Sequence, residues 1–428
     1  MQTNLEQSIA AKNEPDRVRR LDRTTLAWFV LLVVTLSLYS VRQIADGPYG
    51  KDFTVFLTGA SVLVEGHGGN LYDIATQTSA QHEVSGGLRF AGGLLPFNYP
   101  PYVAFLFIPL TFVSPGLAYY IWLAVQWGLL LGLALSVRAN FRKWTGNAPT
   151  LQSNMLLLFC FVPVIEALLM GQMSLVLLSL WWSIFVSWRQ GKWTQLGVAL
   201  ALAMFKPQMA VLLVAALVVQ RRWRALAVAL GTSILLWGGA LLFCGPGVVG
   251  GYLNMLQLSS TTIGTLGFYP ASMPNVRGLL TILGVSPQLS LQVAIFLWLA
   301  SIAATARLWR TRYSLATCFG LTALVAVLFS PHLYIHDASL LMATVWCVQL
   351  ARAEHGLEPR TGWLILPFAA MFTGIYAIVF QIASFNGLVA SVLLLGLVLA
   401  VRLLRTVAGE KQQPAAEVAY MVRPGEFG

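Results

Sequence analysis

Apolar residues come in long runs along this chain, and the polar residues sit between them. Runs long enough to cross a membrane, or nearly so, cover 26–44, 116–137, 151–168, 171–188, 194–205, 207–220, 224–243, 288–308, 314–330, 333–350, 361–381 and 385–404. A crossing helix needs about 20 residues. The runs 194–205 and 207–220 fall short and read as half-helices meeting at Lys206-Pro207. A further short run, 98–113, follows the helix-breaking Tyr99-Pro100-Pro101 and reads as a segment that dips in and returns. The pattern predicts an all-α polytopic membrane protein with about twelve transmembrane helices.

One long polar passage interrupts this pattern, Asp46–Tyr102. It holds five of the 16 carboxylates, Asp46, Asp52, Glu65, Asp73 and Glu83, and two of the five histidines, His67 and His82. From Phe53 to Val64 the apolar positions recur as on a helix, predicted to lie in the interface plane with Asp52 at or near its N-terminus. A polar loop beside an apolar body is where a membrane protein places its chemistry.

Composition sharpens this picture. The 428 residues are 57% hydrophobic and 10% charged, against roughly 25% charged in soluble domains. The net charge of +11 does not indicate nucleic acid, because the basic residues form short clusters between apolar runs, as topology determinants do. With 98–113 returning on its own side, 22 of the 27 basic residues fall on the N-terminal side, all but Arg42, Lys51, Arg89, Lys206 and Arg277. Positive charge stays inside. Residues 1–25 and 406–428 are therefore cytoplasmic tails, 26–405 is the membrane domain, and 46–102 is the first outer loop. The basic N-terminus leads into a first span without a cleavage site, so it is not a removed signal peptide. Cys160, Cys244, Cys318 and Cys347 lie in or at the edge of apolar runs with no CxxC spacing, which indicates neither disulfides nor zinc.

This topology gathers the chemistry-bearing residues on the outer side. Each has a plain reading beside a functional one. Asp52 is either a helix cap or a general base facing the site. Tyr99, in FNYPPY, belongs to a helix start or to an aromatic wall. Gln172 lies in LLMGQMS, at the start of the 171–188 run. Lys206 either snorkels to the outer interface or meets a phosphate. His332 and His336 share a face if their segment is helical. There they form a hydrogen-bonded pair or a phosphate-binding, proton-handling pair with Asp337 orienting His336. Arg277 is either a solvated residue or a ligand of lipid phosphate. Gly245–Gly250 matches GxGxxG but follows a membrane helix, not a strand, so it is not a nucleotide motif. No DxD or HExxH pattern supports a metal site.

Asp52 after the first span, LYD at 71–73, FNYPPY at 97–102, GQ at 171–172, FKPQ at 205–208 and HD at 336–337 together resemble glycosyltransferase family 87. The resemblance runs from about residue 50 to 340. It implies a GT-C-like bundle with its active site on the extracytoplasmic face of a bacterial inner membrane. It implies Asp52 as the catalytic aspartate and His336 near the donor phosphate. The implied reaction moves a sugar, mannose in the family's best-known members, from a polyprenyl-phosphate donor to a lipid or glycan hydroxyl. The implied stereochemistry is inverting, and no metal or other cofactor is needed. Lys206, His336 and Arg277 would steady the leaving phosphate. The rivals are a secondary transporter, for which Lys206 and Asp337 would be coupling residues, and a membrane acyltransferase using His332 or His336. A transporter would carry paired repeats, and the broken helix at Lys206 has no counterpart elsewhere in the chain.

Overall fold

The computed structural model describes residues 50–87, 90, 93–311 and 313–355, with isolated positions between 371 and 398. All regular elements among the described residues are helical. The outer-loop segment supplies α1 (Lys51–Val64), α2 (Ile74–Val84) and α3 (Pro101–Phe107). Next come α4 (Pro115–Thr145), α5 (Leu151–Phe159), α6 (Val162–Met170) and α7 (Ser174–Arg189). The second half holds α8 (Trp193–Ala203), α9 (Pro207–Val219), α10 (Trp223–Cys244) and α11 (Gly247–Thr261). It closes with α12 (Val276–Ile282), α13 (Pro287–Leu308), α14 (Leu315–Phe329) and α15 (Leu341–His355).

The helix starts are legible. Pro101, Pro115, Pro207 and Pro287 open α3, α4, α9 and α13, where a missing N–H costs nothing and the fixed φ suits the first turn. Asp73 caps α2 by accepting from the Thr76 N–H at 2.8 Å.

Among the described residues three helices, α4, α10 and α13, are long and apolar enough to cross a membrane. The pair α5 and α6 makes a fourth if its 73° bend is counted as one span. Their outward faces are apolar. Only 11% of the most apolar stretch of α10 is buried, and Leu230, Ile234, Leu235, Leu242 and Phe243 stand exposed along it. Exposed apolar area on this scale suits a lipid surrounding. The expected spans at 171–188, 194–205, 207–220 and 314–330 are the shorter helices α7, α8, α9 and α14, the longest of them 16 residues. Sixteen residues rise about 24 Å, short of the roughly 30 Å of hydrocarbon. The expected spans at 26–44, 361–381 and 385–404, and both tails, fall outside the continuously described residues.

Three local expectations change. The run 151–168 is a sharply bent helix pair with its break at Cys160-Phe161. The run 98–113 is α3 followed by a 3-10 turn, Ile108–Phe112. The expected span 333–350 begins later, because Ile335–Leu340 winds as a 3-10 turn before α15.

Helix α1 also departs from expectation. A helix lying in the interface keeps one face bare, but nine of the 14 residues of α1 are buried by protein. Its aromatic side chains lock it inward. The Phe56 ring stacks on Phe107 at 4.8 Å and lies 4.9 Å from the Tyr99 ring, while Phe53 packs edge-on to Phe107 and Tyr119. Each buried phenylalanine contributes about 1.5–3 kcal/mol of apolar transfer. Two glycines let α1 approach α6 this closely. A Cβ on Gly50 would lie 2.7 Å from the backbone of Leu169 and Met170, and one on Gly171 would lie 2.7 Å from the Phe53 Cβ. Gly171 also has φ +68°, which closes the C-terminus of α6. Thus the start of α1 is pinned to the end of α6, and the 3-10 turn 335–340 packs on α6 and α7 beside them.

Candidate active site

That junction opens onto a cavity of about 460 Å³. One part of its lining is polar and carries Asp52, Tyr99, Gln172, Lys206, Arg277, His332, His336 and Asp337. All eight residues singled out in the sequence therefore meet in one space, from segments up to 285 positions apart (Asp52 to Asp337). The other part is apolar and runs along Val211 of α9, Leu256 of α11, and Leu291, Ile295 and Trp298 of α13.

Asp52 sits in the first turn of α1. It does not cap that helix: Gly50 holds the cap position, and no side chain caps there. Its side chain remains 25% exposed. The Gln172 amide Nε2 donates to Asp52 Oδ2 at 2.8 Å. The Tyr99 hydroxyl donates to Gln172 Oε1 at 3.0 Å. Tyr99 is thus an interior strut as well as part of the cavity wall.

Lys206 neither snorkels nor stands ready for an anion. It is 5% exposed, caps the broken-helix junction at α9, and pairs directly with Asp337. Ser174 Oγ donates to the same Asp337 Oδ1 at 2.5 Å. Asp337 Oδ1 thus holds both a lysine and a serine, and the partnership of Asp337 is with Lys206 more than with His336. A lysine and an aspartate taken out of water together need this mutual satisfaction, because each alone is expensive to bury.

His336 stands between the two carboxylates. Its Nδ1 is 3.8 Å from Asp52 Oδ2, and its Nε2 is 3.6 Å from Asp337 Oδ2. These are electrostatic distances, too long for hydrogen bonds. His332 does not share a helix face with it, since helical winding begins only at Ile335. His332 instead lies against Phe268 and Tyr334, with its carbonyl accepting from Gln208 at 3.3 Å. Burial, and then the neighbouring Arg277 charge, push His332 down to about 4. It is neutral at ordinary pH and can offer a ligand only a neutral hydrogen bond.

Arg277 is not solvated. It is 2% exposed, on α12. Its Nη1 and Nη2 donate to the carbonyls of Pro331 and Ser260 at 3.0 and 3.1 Å, and its Nε is buried with no partner. No carboxylate pairs with it among the described residues. Burial lowers its pKa from the ordinary arginine value, yet arginine remains a cation in proteins. The cavity therefore holds one neutralised cation, Lys206, and one buried cation, Arg277, with no carboxylate partner among the described residues.

Two contributors were not singled out from the sequence. Ser174 was inside the quoted LLMGQMS motif, but a lone serine there carries no signal. Tyr334 donates its hydroxyl to the Gly267 carbonyl at 2.8 Å and accepts from the Tyr269 N–H at 3.0 Å, which holds the 264–269 loop at the cavity edge. Only the tertiary contact reveals that. Among the described residues, no three His, Cys, Asp or Glu side chains are gathered to hold a metal ion.

The arrangement joins an accessible carboxylate, an unmatched cation and an apolar flank in one cavity. It can take a proton from a hydroxyl, hold an anion and accommodate a hydrocarbon. No curated protein and no solved structure matches the chain. A family model does, over residues 97–331, and its description is Glycosyltransferase family 87. The matched stretch contains Tyr99, Gln172, Lys206 and Arg277; Asp52, His332, His336 and Asp337 lie outside it. That match covers more than half of the chain, which belongs to glycosyltransferase family 87 and is a membrane glycosyltransferase.

Proposed function

We propose that the protein transfers a sugar, mannose, from a polyprenyl-phosphate donor to a hydroxyl of a lipid or glycan acceptor. The observation that carries this reading is the unmatched Arg277 cation in the same cavity as the partly exposed Asp52. A buried charge without a counter-ion calls for an anion. One phosphate on a long apolar chain meets both needs of the cavity: its head suits Arg277, and its tail suits the Val211, Leu291 and Ile295 side. Ile295 is itself exposed on α13, so that flank reaches the lipid-facing surface.

In this mechanism Asp52 accepts the acceptor hydroxyl's proton as the hydroxyl oxygen bonds to the anomeric carbon. The bond from that carbon to the phosphate oxygen breaks, and the phosphate leaves with the electron pair. A β-linked donor gives an α-product by inversion. Arg277 stabilises the developing phosphate charge in a water-poor site, where such stabilisation counts most. His336, beside Asp52, faces the same space. No divalent ion takes part in this scheme. The site faces the extracytoplasmic side of a bacterial inner membrane, where a lipid-carried sugar is the accessible donor.

Purified protein in lipid should transfer radiolabelled mannose from polyprenyl-phosphate mannose and should keep doing so in EDTA. Direct use of GDP-mannose, or loss in EDTA with recovery in Mn²⁺, overturns the reading. A cysteine at the exposed Asp73 should react with an impermeant thiol reagent in intact cells, and one at the exposed Arg222 should not.

A further inference from the structure

The turn between α6 and α7 contacts both aspartates. Gln172 reaches Asp52, and two residues later Ser174 reaches Asp337. We propose that Gly171–Ser174 is a clasp that gives the two carboxylates separate tasks, with Gln172 as the positioning residue that leaves Asp52 Oδ1 as the proton-accepting oxygen. This inference rests on Asp52 being the base.

The orientation of the Gln172 amide is determined on its oxygen side. Its Oε1 accepts from the Tyr99 hydroxyl at 3.0 Å and from the Met173 N–H at 3.3 Å. Both are donors, so the amide NH₂ must point the other way, at Asp52 Oδ2. The His336 Nδ1 lies on that same oxygen, at 3.8 Å. Both neighbours of the carboxylate therefore engage Oδ2. No described residue donates a hydrogen bond to Oδ1 within the observed contacts of Asp52.

The turn itself is held from several sides. The Trp122 indole donates to the Gly171 carbonyl at 2.8 Å, and the Tyr119 hydroxyl donates to the Leu169 carbonyl at 2.9 Å. The Gln172 N–H returns to the Ala167 carbonyl at 2.9 Å. Gly171 lies against Phe53, one residue from Asp52. A rigid donor on one oxygen stops the carboxylate from swinging about its terminal torsion. That matters because a base must be held in a near-attack geometry. At Asp337 the same turn serves structure: Ser174 adds to Lys206 on Oδ1 of a carboxylate that is only 4% exposed, so the lysine pair and not the cavity claims it.

The test uses the full-length protein in lipid nanodiscs with polyprenyl-phosphate mannose. Gln172→Leu should lower kcat about ten- to a hundredfold, the range for losing a hydrogen bond to a charged group, with little change in KM for donor or acceptor. Tyr99→Phe should show a smaller loss of the same kind, because the Gln172 oxygen is then held by the Met173 N–H alone and the amide is positioned less firmly. A raised KM with unchanged kcat in Gln172→Leu would make Gln172 a substrate ligand and overturn the clasp. A second readout needs no donor. A carbodiimide must reach a carboxyl oxygen in the right orientation, so a carboxyl held by a fixed donor reacts more slowly than a loose one. Mass spectrometry of Asp52 should show faster modification in Gln172→Leu and in Tyr99→Phe, with Ser174→Ala close to the wild type. Equal acceleration in Ser174→Ala, or none in either of the other two variants, overturns the clasp. If the wild-type protein ignores polyprenyl-phosphate mannose, the donor assignment falls, and the modification rates still decide the clasp.

Discussion

Asp52 and Asp337 line one cavity and carry the same functional group, yet their surroundings differ. The Asp52 side chain is 25% exposed and accepts one hydrogen bond, from Gln172. The Asp337 side chain is 4% exposed, pairs with Lys206 and accepts from Ser174. A carboxylate buried against a lysine and a serine is a poor base and a good girder, because the cation holds it as a carboxylate. One that lines the cavity a quarter exposed, with no lysine or arginine paired to it among the described residues, is a candidate base. The lesson is that partners assign the role, and residue type alone does not. The two cations repeat the contrast: Lys206 pairs with Asp337, and Arg277 has no carboxylate partner among the described residues.

The strongest way to break the comparison is to exchange its outcomes. Asp52→Asn should cost about 10²–10⁴-fold in transfer rate, the usual worth of a general base, while leaving the unfolding temperature near wild type. Sugar transfer at the wild-type rate would return Asp52 to an ordinary helix residue. Asp337→Ala should do the converse and act first on stability. It leaves Lys206 buried without its counter-ion, at a cost of about 3–5 kcal/mol. Thermal unfolding of the purified variant would show it. Replacing both, as Lys206→Met with Asp337→Leu, should recover much of that loss, because it is the unpaired charge that destabilises. A double variant no more stable than Asp337→Ala would argue against the girder role.

Arg277→Met sharpens the comparison between the cations. It should reduce kcat/KM for the donor about tenfold or more, the scale of a charge-assisted hydrogen bond, and leave acceptor KM nearly unchanged. Without donor, its unfolding temperature should hold or rise, since an unmatched buried charge has been removed. A fall like that of Asp337→Ala would show Arg277 to be a structural residue.

The smallest expected effect concerns His332. Burial, then the Arg277 charge, hold it at about 4, below the ordinary 6.5, with Asp337, Lys206 and His336 acting more weakly. Between those values the unfolded chain binds the proton and the folded chain does not. Stability should therefore rise with pH across this window and fall as pH drops from 6.5 toward 4. Unfolding of His332→Gln over the same range should show a shallower slope. An unchanged slope would place the titration elsewhere.

The sequence by itself determined a good deal. Its apolar runs made the chain an all-helical membrane protein, because lipid leaves the backbone few other ways to satisfy its polar groups. Pro207 broke the 194–220 run where the structure breaks it, since proline cannot continue a helix through its missing N–H. The polar residues that stood out in apolar surroundings, Asp52, Gln172, Lys206, Arg277, His336 and Asp337, all reached one cavity. A charge is costly inside a membrane wherever it lies, so its mere presence marks a site. What each residue does there was beyond the sequence. The Lys206–Asp337 pair joins positions 131 apart, and the Gln172–Asp52 bond joins positions 120 apart. No local pattern carries such pairings, because they form only when α1, α6 and the 335–340 turn pack together. Helix α1 shows the same limit. Its residues read as suited to an interface, and the aromatic contacts of Phe53 and Phe56 with Phe107, Tyr99 and Tyr119 drew it inside. Local periodicity fixes which residues share a helix, and packing decides which of them meet a partner and which are left free to react.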